Sequence, residues 1–164
     1  EGRVLLTEHE DFLLYNIYFP NGQKDETRLK YKLDFYDDLL PIINEQVESG
    51  SNVIVAGDWN TAHYPIDLAR PKENIKTSGF MPIEREKLDD YVNDGWTDTF
   101  RLFNNEPEKY SWWSYRMGAR ARNVGWRIDY FFVNSDFSDL CKNADIHQDV
   151  MGSDHCPVSL ELDL

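Results

Sequence analysis

The sequence predicts an α/β protein in which helices pack on one face of a mixed β-sheet. Three observations carry this. The apolar run Asn52-Val53-Ile54-Val55-Ala56 reads as a buried strand that delivers Gly57-Asp58-Trp59-Asn60 at its end. The turn Gly152-Ser153-Asp154-His155-Cys156-Pro157 leads into the alternation of Val158, Leu160 and Leu162, so an acid and a polar side chain stand beside a second strand. Stretches with apolar residues three and four apart lie between the apolar runs, as amphipathic helices require.

The elements follow in order. Val4-Leu5-Leu6 and Phe12 to Tyr18 are strands around a turn at His9-Glu10-Asp11, an antiparallel hairpin. Between Thr27 and Val47 the apolar positions Leu29, Leu33, Tyr36, Leu40, Ile43 and Val47 predict a helix. Pro41 lies inside it and lacks an amide hydrogen, which predicts a kink or a break. Ser49-Gly50-Ser51 ends the helix, and the strand Val53 to Ala56 follows. Ile66 to Phe80, rich in Pro, Lys and Asn, reads as a loop. Pro82 to Asn93 reads as a second helix with Ile83, Leu88 and Val92 on its apolar side. Trp112-Trp113, Ile128 to Val133 and Pro157 to Leu162 read as further strands, and Asp136 to Lys142 as a short helix. No repeat, low-complexity tract or linker interrupts the 164 residues, and 41% hydrophobic and 14% aromatic content suffices to bury a single core of ordinary size.

Composition narrows the function classes. No apolar run is long enough to span a membrane, so no membrane partner is expected. Cys141 and Cys156 stand far apart without metal-ligand spacing, which excludes a structural zinc site and suits a cytoplasmic protein, nucleoid-associated in a prokaryote or archaeon. A net charge of -13 opposes nucleic-acid binding at long range. The distribution matters more: Arg116, Arg120, Arg122 and Arg127 fall in an acid-free run interleaved with Trp112, Trp113, Tyr115 and Trp126. Arg28, Lys30 and Lys32 make a second small cluster, while many acids lie between Asp34 and Glu48 and between Glu84 and Asp98, on outward helix faces.

The candidate chemistry lies in three acids and their neighbours. Asp58 and Asn60 sit at a strand end, where α/β folds collect groups that handle phosphate and metal. Asp129 interrupts the apolar run Trp126 to Val133, and an acid so placed is paired or catalytic. Alone, each has a plainer reading: a Gly-Asp turn, a surface Asp-His hydrogen bond, a carboxylate held by backbone amides. Together, in this order and with these flanks, they leave those plainer readings little room.

The ordered motifs resemble the exonuclease III family of abasic-site endonucleases, within the endonuclease/exonuclease/phosphatase superfamily. The matching stretches are Tyr18-Phe19-Pro20-Asn21-Gly22, Gly57 to His63, Ile66 to Lys72, Gly79-Phe80-Met81-Pro82 and Asp98-Thr99-Phe100-Arg101. They continue with Tyr110 to Arg116, Asn123 to Phe131 and the Gly152 to Pro157 turn, so the resemblance runs from about residue 3 to the last residue. It implies the DNase I-like four-layer α/β sandwich, of which residues 1–164 would form one layer, the C-terminal part of a single domain. Family members open with a strand carrying an Asn and another carrying a metal-binding Glu, and neither motif stands here. The missing N-terminal part, or self-association through an uncovered sheet face around Val53 to Ala56 and Ile128 to Val133, is therefore expected as a partner.

The resemblance also implies a reaction: hydrolysis of the phosphodiester 5' to an abasic site in double-stranded DNA, with possible 3'-5' exonuclease activity and Mg²⁺ (or Mn²⁺) as cofactor. By matching positions, Asp58 would activate water and Asn60 hold it. His155, oriented by Asp129, would stabilise the phosphoryl oxygens, and Tyr18 and Asn21 would donate to the phosphate. Asp154 would bind the metal, with further ligands outside the chain. Trp112, Trp126 and Ile128 would form the pocket for a base-less sugar, Arg116 would insert into the duplex, and Arg28 would contact phosphate. Alternatives are another superfamily phosphoesterase, sphingomyelinase-like or acting on inositol phosphates, and a non-catalytic isolated half-domain. The chain alone is expected to be nearly inactive.

Overall fold

Alternating apolar residues build the centre of the molecule. The computed structural model describes all residues, Glu1–Leu164. Its main sheet has five strands: β1 (Val4–Glu8), β2 (Leu13–Tyr18), β3 (Val53–Asp58), β4 (Trp96–Asp98) and β5 (Asp129–Asn134), in the order β1-β2-β3-β5-β4. β2 and β3 run parallel and the other neighbours antiparallel, with β1 and β2 forming the expected hairpin from Val4↔Ile17 to Glu8↔Leu13. Tyr15 and Ile17, Val53 and Val55, Tyr130 and Phe132 point to one face, where Tyr36, Leu39, Ile43, Leu88 and Tyr91 of two helices cover them. This is the predicted helix-on-sheet layer.

Helix α1 (Glu26–Glu48) starts where Asp25 accepts a hydrogen bond from the Arg28 amide at 2.8 Å, satisfying an otherwise free donor of the first turn. It runs on past Pro41 without a break. Pro41 and Asp37 are both exposed, on the solvent side of the helix, where a carbonyl without its helical partner is tolerated. A one-turn helix, α2 (Pro71–Asn74), and a 3₁₀ turn at Pro65–Asp67 interrupt the stretch expected to be loop. Helix α3 (Pro82–Asn93) buries Glu84, Leu88 and Tyr91 and leaves Ile83 and Val92 exposed, so the buried stripe is not the expected one. An acid occupies a core position there, and apolar periodicity cannot register it.

The C-terminal elements also differ from expectation. A short helix α4 (Thr99–Phe103) follows β4, and Ser135–Leu140 is a 3₁₀ turn. β6 (Cys141–Ile146) and β7 (Val158–Leu162) pair with each other as a separate two-stranded sheet. Trp112-Trp113 is no regular strand, but Trp112 bridges both Trp126 and His155. The second face of the main sheet, at Leu14, Ile54, Phe131 and Val133, packs against Phe137, Cys141, Leu160 and Leu162. Of the face expected to be open, Val53–Ala56 are all buried, while Leu14, Phe131, Leu160 and Leu162 on the same side are only half-covered. On the edge strand β1, Val4, Leu5 and Leu6 are exposed.

A buried ion network fixes the loops above the sheet. Arg127, with no exposed surface, bonds Asp67 through Nε at 2.8 Å and Asp98 through both terminal nitrogens at 3.1 and 2.6 Å. Its guanidinium stands 4.4 Å from the centre of the Tyr130 ring, and Arg101 also reaches Asp67. Burial opposes the charge on Arg127, yet the two carboxylates outweigh it and hold its pKa well above the ordinary guanidinium value. Replacing it with Met leaves two acids short of their partner. We expect Arg127→Met to lower unfolding free energy by about 3–5 kcal/mol, seen as a lower urea midpoint at unchanged slope.

Candidate active site

Strand β3 ends against β2 so closely that only glycine fits position 57. A Cβ there would stand 1.9 Å from the Ile17 carbonyl oxygen, at a φ of +135°. The chain then turns, Trp59 sinks into the core with no exposed surface, and Asn60 takes a left-handed φ of 52°. This throws Asp58 and Asn60 to the same side. The Asn60 amide donates to Asp58 Oδ1 at 2.8 Å and its Nδ2 donates to Asp58 Oδ2 at 3.1 Å and to the Phe19 carbonyl at 2.9 Å. Asn21 Nδ2 donates to Asn60 Oδ1 at 3.1 Å. The Asp58 carboxylate is therefore held at both oxygens.

Asp129 opens β5 directly opposite Asp58 in the β3–β5 register. Its Oδ2 meets His155 Nδ1 at 2.9 Å and accepts from Ser111 Oγ at 2.6 Å. Ser111 is buried and also takes the amides of Ile128 and Asp129, each at 3.1 Å. The His155 turn is stitched to the same segment: Trp113 N donates to Asp154 O at 2.9 Å and Cys156 N to Ser111 O at 2.8 Å. Asp154 Oδ2 accepts from Trp112 Nε1 at 3.1 Å.

These contacts set the electrostatics. Burial and the facing Asp129 charge push the Asp58 carboxyl up from 3.8 to about 7, against the Asn60 amide, His155 and Lys32. Burial pulls His155 down, but the Asp129 hydrogen bond and charge outweigh it and hold the imidazole above 6.5. Burial raises Asp154, and the Trp112 hydrogen bond with its neighbours more than reverses this, leaving it below 3.8. A carboxyl near neutrality thus stands beside an imidazole biased toward its cation.

All three groups border one cleft of about 750 Å³. Tyr18, Asn21, Asp58, Asn60, Asp154 and His155 line its polar part, Trp112, Trp126 and Ile128 an apolar end, and Arg116 its rim. Asp129 lies behind His155. Arg28 stands apart from the lining, bonded to Glu1 at 2.7 Å and to the Asn21 carbonyl at 3.2 Å. Of the four arginines in the acid-free run, Arg116 and Arg122 face the cleft. Arg127 is buried, and Arg120 stacks on Trp113 while donating to the carbonyls of Ser153, Gln148 and Val150. Arg70, at a left-handed φ of 56°, adds a third cation. Ser111, which sequence reasoning passed over, carried no pattern beyond a serine before two tryptophans.

Comparison with known proteins places this geometry. The model of the Endonuclease/Exonuclease/phosphatase family matches residues 3–155. The chain belongs to that family. It is 42% identical to an exodeoxyribonuclease of Bacillus subtilis, over all of this chain and 65% of that protein. It is 40% identical to a DNA-(apurinic or apyrimidinic site) endonuclease of Dictyostelium discoideum, over all of this chain and 46% of that protein. Among solved structures, an AP endonuclease from Archaeoglobus fulgidus superposes with a TM-score of 0.87 at 25% identity, over 99% of this chain and 65% of that one. The chain thus spans between 46% and 65% of these relatives' length. The endonuclease/exonuclease/phosphatase fold is the DNase I-like one the sequence implied, and the family's nucleases depend on divalent metal.

The raised Asp58 pKa has a signed consequence for stability. The folded state binds this proton up to about pH 7, the unfolded chain only to about 3.8, so Asp58 subtracts stability as pH rises through that window. Asp58→Asn removes this dependence. The difference in unfolding free energy, variant minus wild type, is expected to rise between pH 4 and 7 and to level off above, as measured by urea titrations across pH.

Proposed function

We propose that the protein carrying this chain hydrolyses phosphodiesters of double-stranded DNA on the 5' side of abasic sites. The observation that carries this is the Asp58 carboxyl, brought to about 7, in a cleft that also presents the His155–Asp129 pair and an apolar recess. An acid with that pKa is half ionised near neutrality and suits a general base. Asp58 takes a proton from the attacking water, which the Asn60 amide group orients. His155, held by Asp129 and Ser111, donates a charge-assisted hydrogen bond to the phosphoryl oxygens. Tyr18 and Asn21 donate to the same phosphate from the end of β2.

Asp154 fits a hard divalent cation: it is a carboxylate held below its ordinary pKa at the cleft. The chain holds no group of three or more His, Cys, Asp or Glu side chains arranged for a metal. Asp154 would therefore be one ligand of Mg²⁺ or Mn²⁺, and further ligands would come from outside these residues. When bound, the ion supplies charge neutralisation at the phosphate and the leaving oxygen.

The recess explains the choice of substrate. Trp112 and Trp126 flank Ile128 and pack against Ala62, Leu68 and Phe80, a floor that accepts a flipped sugar without a base and crowds an intact nucleotide. Arg70, Arg116 and Arg122 border the same cleft and would meet the backbone phosphates.

In the full-length protein, Asp58→Asn is expected to lower single-turnover cleavage of abasic duplex by about 10² to 10⁴ while DNA affinity stays near wild type. A rate within tenfold of wild type would sink the assignment. Trp126→Ala should weaken discrimination between abasic and intact nucleotides by about 1–3 kcal/mol, read from the ratio of kcat/KM values. Unaltered discrimination would make Trp126 a core residue only.

A further inference from the structure

Lys32 is one of three cations that the sequence places on an early helix, where solvent is the ordinary environment. The structure buries it completely. Its side chain and that of Glu84 are both 0% exposed, and Nζ meets Glu84 Oε1 at 2.7 Å. Nζ also donates to the carbonyl oxygen of Asn60 at 2.7 Å. Asn60 is the left-handed residue whose amide and side chain hold both oxygens of Asp58. Lys32 thus grips the water-activating turn from behind.

Glu84 grips the other wall of the cleft. Its Oε2 accepts from the Gly79 amide at 2.6 Å and from the Met81 amide at 3.2 Å, and Oε1 accepts from Ser78 Oγ at 3.0 Å. Gly79 sits at a φ of +97°, which strains any side chain, and a Cβ would stand a tight 3.1 Å from the Asn60 carbonyl oxygen and 3.3 Å from the Trp126 ring. Turn, rim and aromatic wall therefore meet where the ion pair reaches between them.

A buried ion pair is a poor device for stability alone, since neutral side chains of similar volume commonly do as well. What charge adds is direction and field. We infer that Lys32 and Glu84 are positioning residues, which together lock the Asp58–Asn60 turn against the Ser78–Gly79 rim and so set water activation and sugar pocket in register. This rests on the reading of the cleft as a phosphodiesterase site. The charges that face Asp58 are Asp129 from β5, His155 from the turn before β7 and Lys32 from α1, and Lys32 favours the ionised form. Burial pulls the Lys32 ammonium below 10.5, against the attraction of Glu84 and Asp58.

The test uses the full-length protein with Lys32→Met/Glu84→Gln, which neutralises both partners so that no lone charge stays buried, and Glu84→Gln alone as a second variant. Melting curves establish folding first. A folded double variant is expected to lose roughly tenfold or more in kcat on abasic duplex. The midpoint of the ascending limb of its pH profile should move up by about one unit, because Asp58 loses a cation. Glu84→Gln keeps that cation and should leave the midpoint in place while reducing discrimination against intact nucleotides. A folded double variant with wild-type kcat and midpoint overturns the inference. Should the wild type not cleave DNA at all, the proposed reaction fails separately. The positioning role is then read from the carboxyl-carbon NMR titration of Asp58, whose midpoint must rise in the double variant for the inference to stand.

Discussion

Two carboxylates face each other across adjacent strands, and much of the cleft's design absorbs that conflict. Asp58 and Asp129 are register partners of β3 and β5. Like charges so placed in a half-dry site cannot both ionise freely. The structure resolves them unequally. Asp129 is committed to His155 and Ser111, while Asp58 keeps only hydrogen bonds from Asn60, and its burial, with the Asp129 charge added, raises its pKa. Two identical side chains acquire different tasks because their donors differ. The left-handed Asn60, the glycine at 57 and the stitching of the His155 turn to residues 111–113 all serve to keep that inequality in place.

Much of the site was legible beforehand. Asp58, Asn60, Asp154 and His155 announce themselves because strand ends and Gly/Ser turns leave local signatures, and Asp129 because an acid in an apolar strand is conspicuous. The helix-on-sheet layer was equally readable from the periodicity of β2, β3 and α1. What stayed hidden depends on long-range partners. Glu84 and Lys32 occupy core positions that hydropathy assigns to the surface, so the buried stripe of α3 keeps the expected Leu88 but runs through Glu84 and Tyr91 in place of Ile83 and Val92. Arg120 and Arg127 read as part of a nucleic-acid surface because they fall among tryptophans in an acid-free run, and only the carbonyls and acids around them show otherwise. β6 escaped because its alternation is carried by Ala144 and Ile146 among polar residues.

Aromatic packing links core to cleft. Trp59 stacks on Phe19 at 4.4 Å and packs against Phe132 at 4.5 Å between ring centres, directly beneath the turn that bears Asp58 and Asn60. The reactive side chains therefore stand on close-packed rings rather than on a mobile loop, which limits how far they can drift from a productive geometry.

The anchoring of Arg120 carries a different kind of consequence. The loop that presents Arg116 and the exposed Met117 is tied down by a guanidinium that donates to three backbone carbonyls and rests on the Trp113 ring. Carbonyl dipoles, unlike carboxylates, carry no net charge for mobile ions to screen. Phosphate contacts weaken steeply as salt rises, because bound counterions are no longer released at a profit in entropy. The scaffold of this loop answers to a different rule. If the cleft holds a duplex as proposed, ionic strength would loosen that hold without softening the loop's own shape, and occupancy and shape recognition would become separately adjustable quantities.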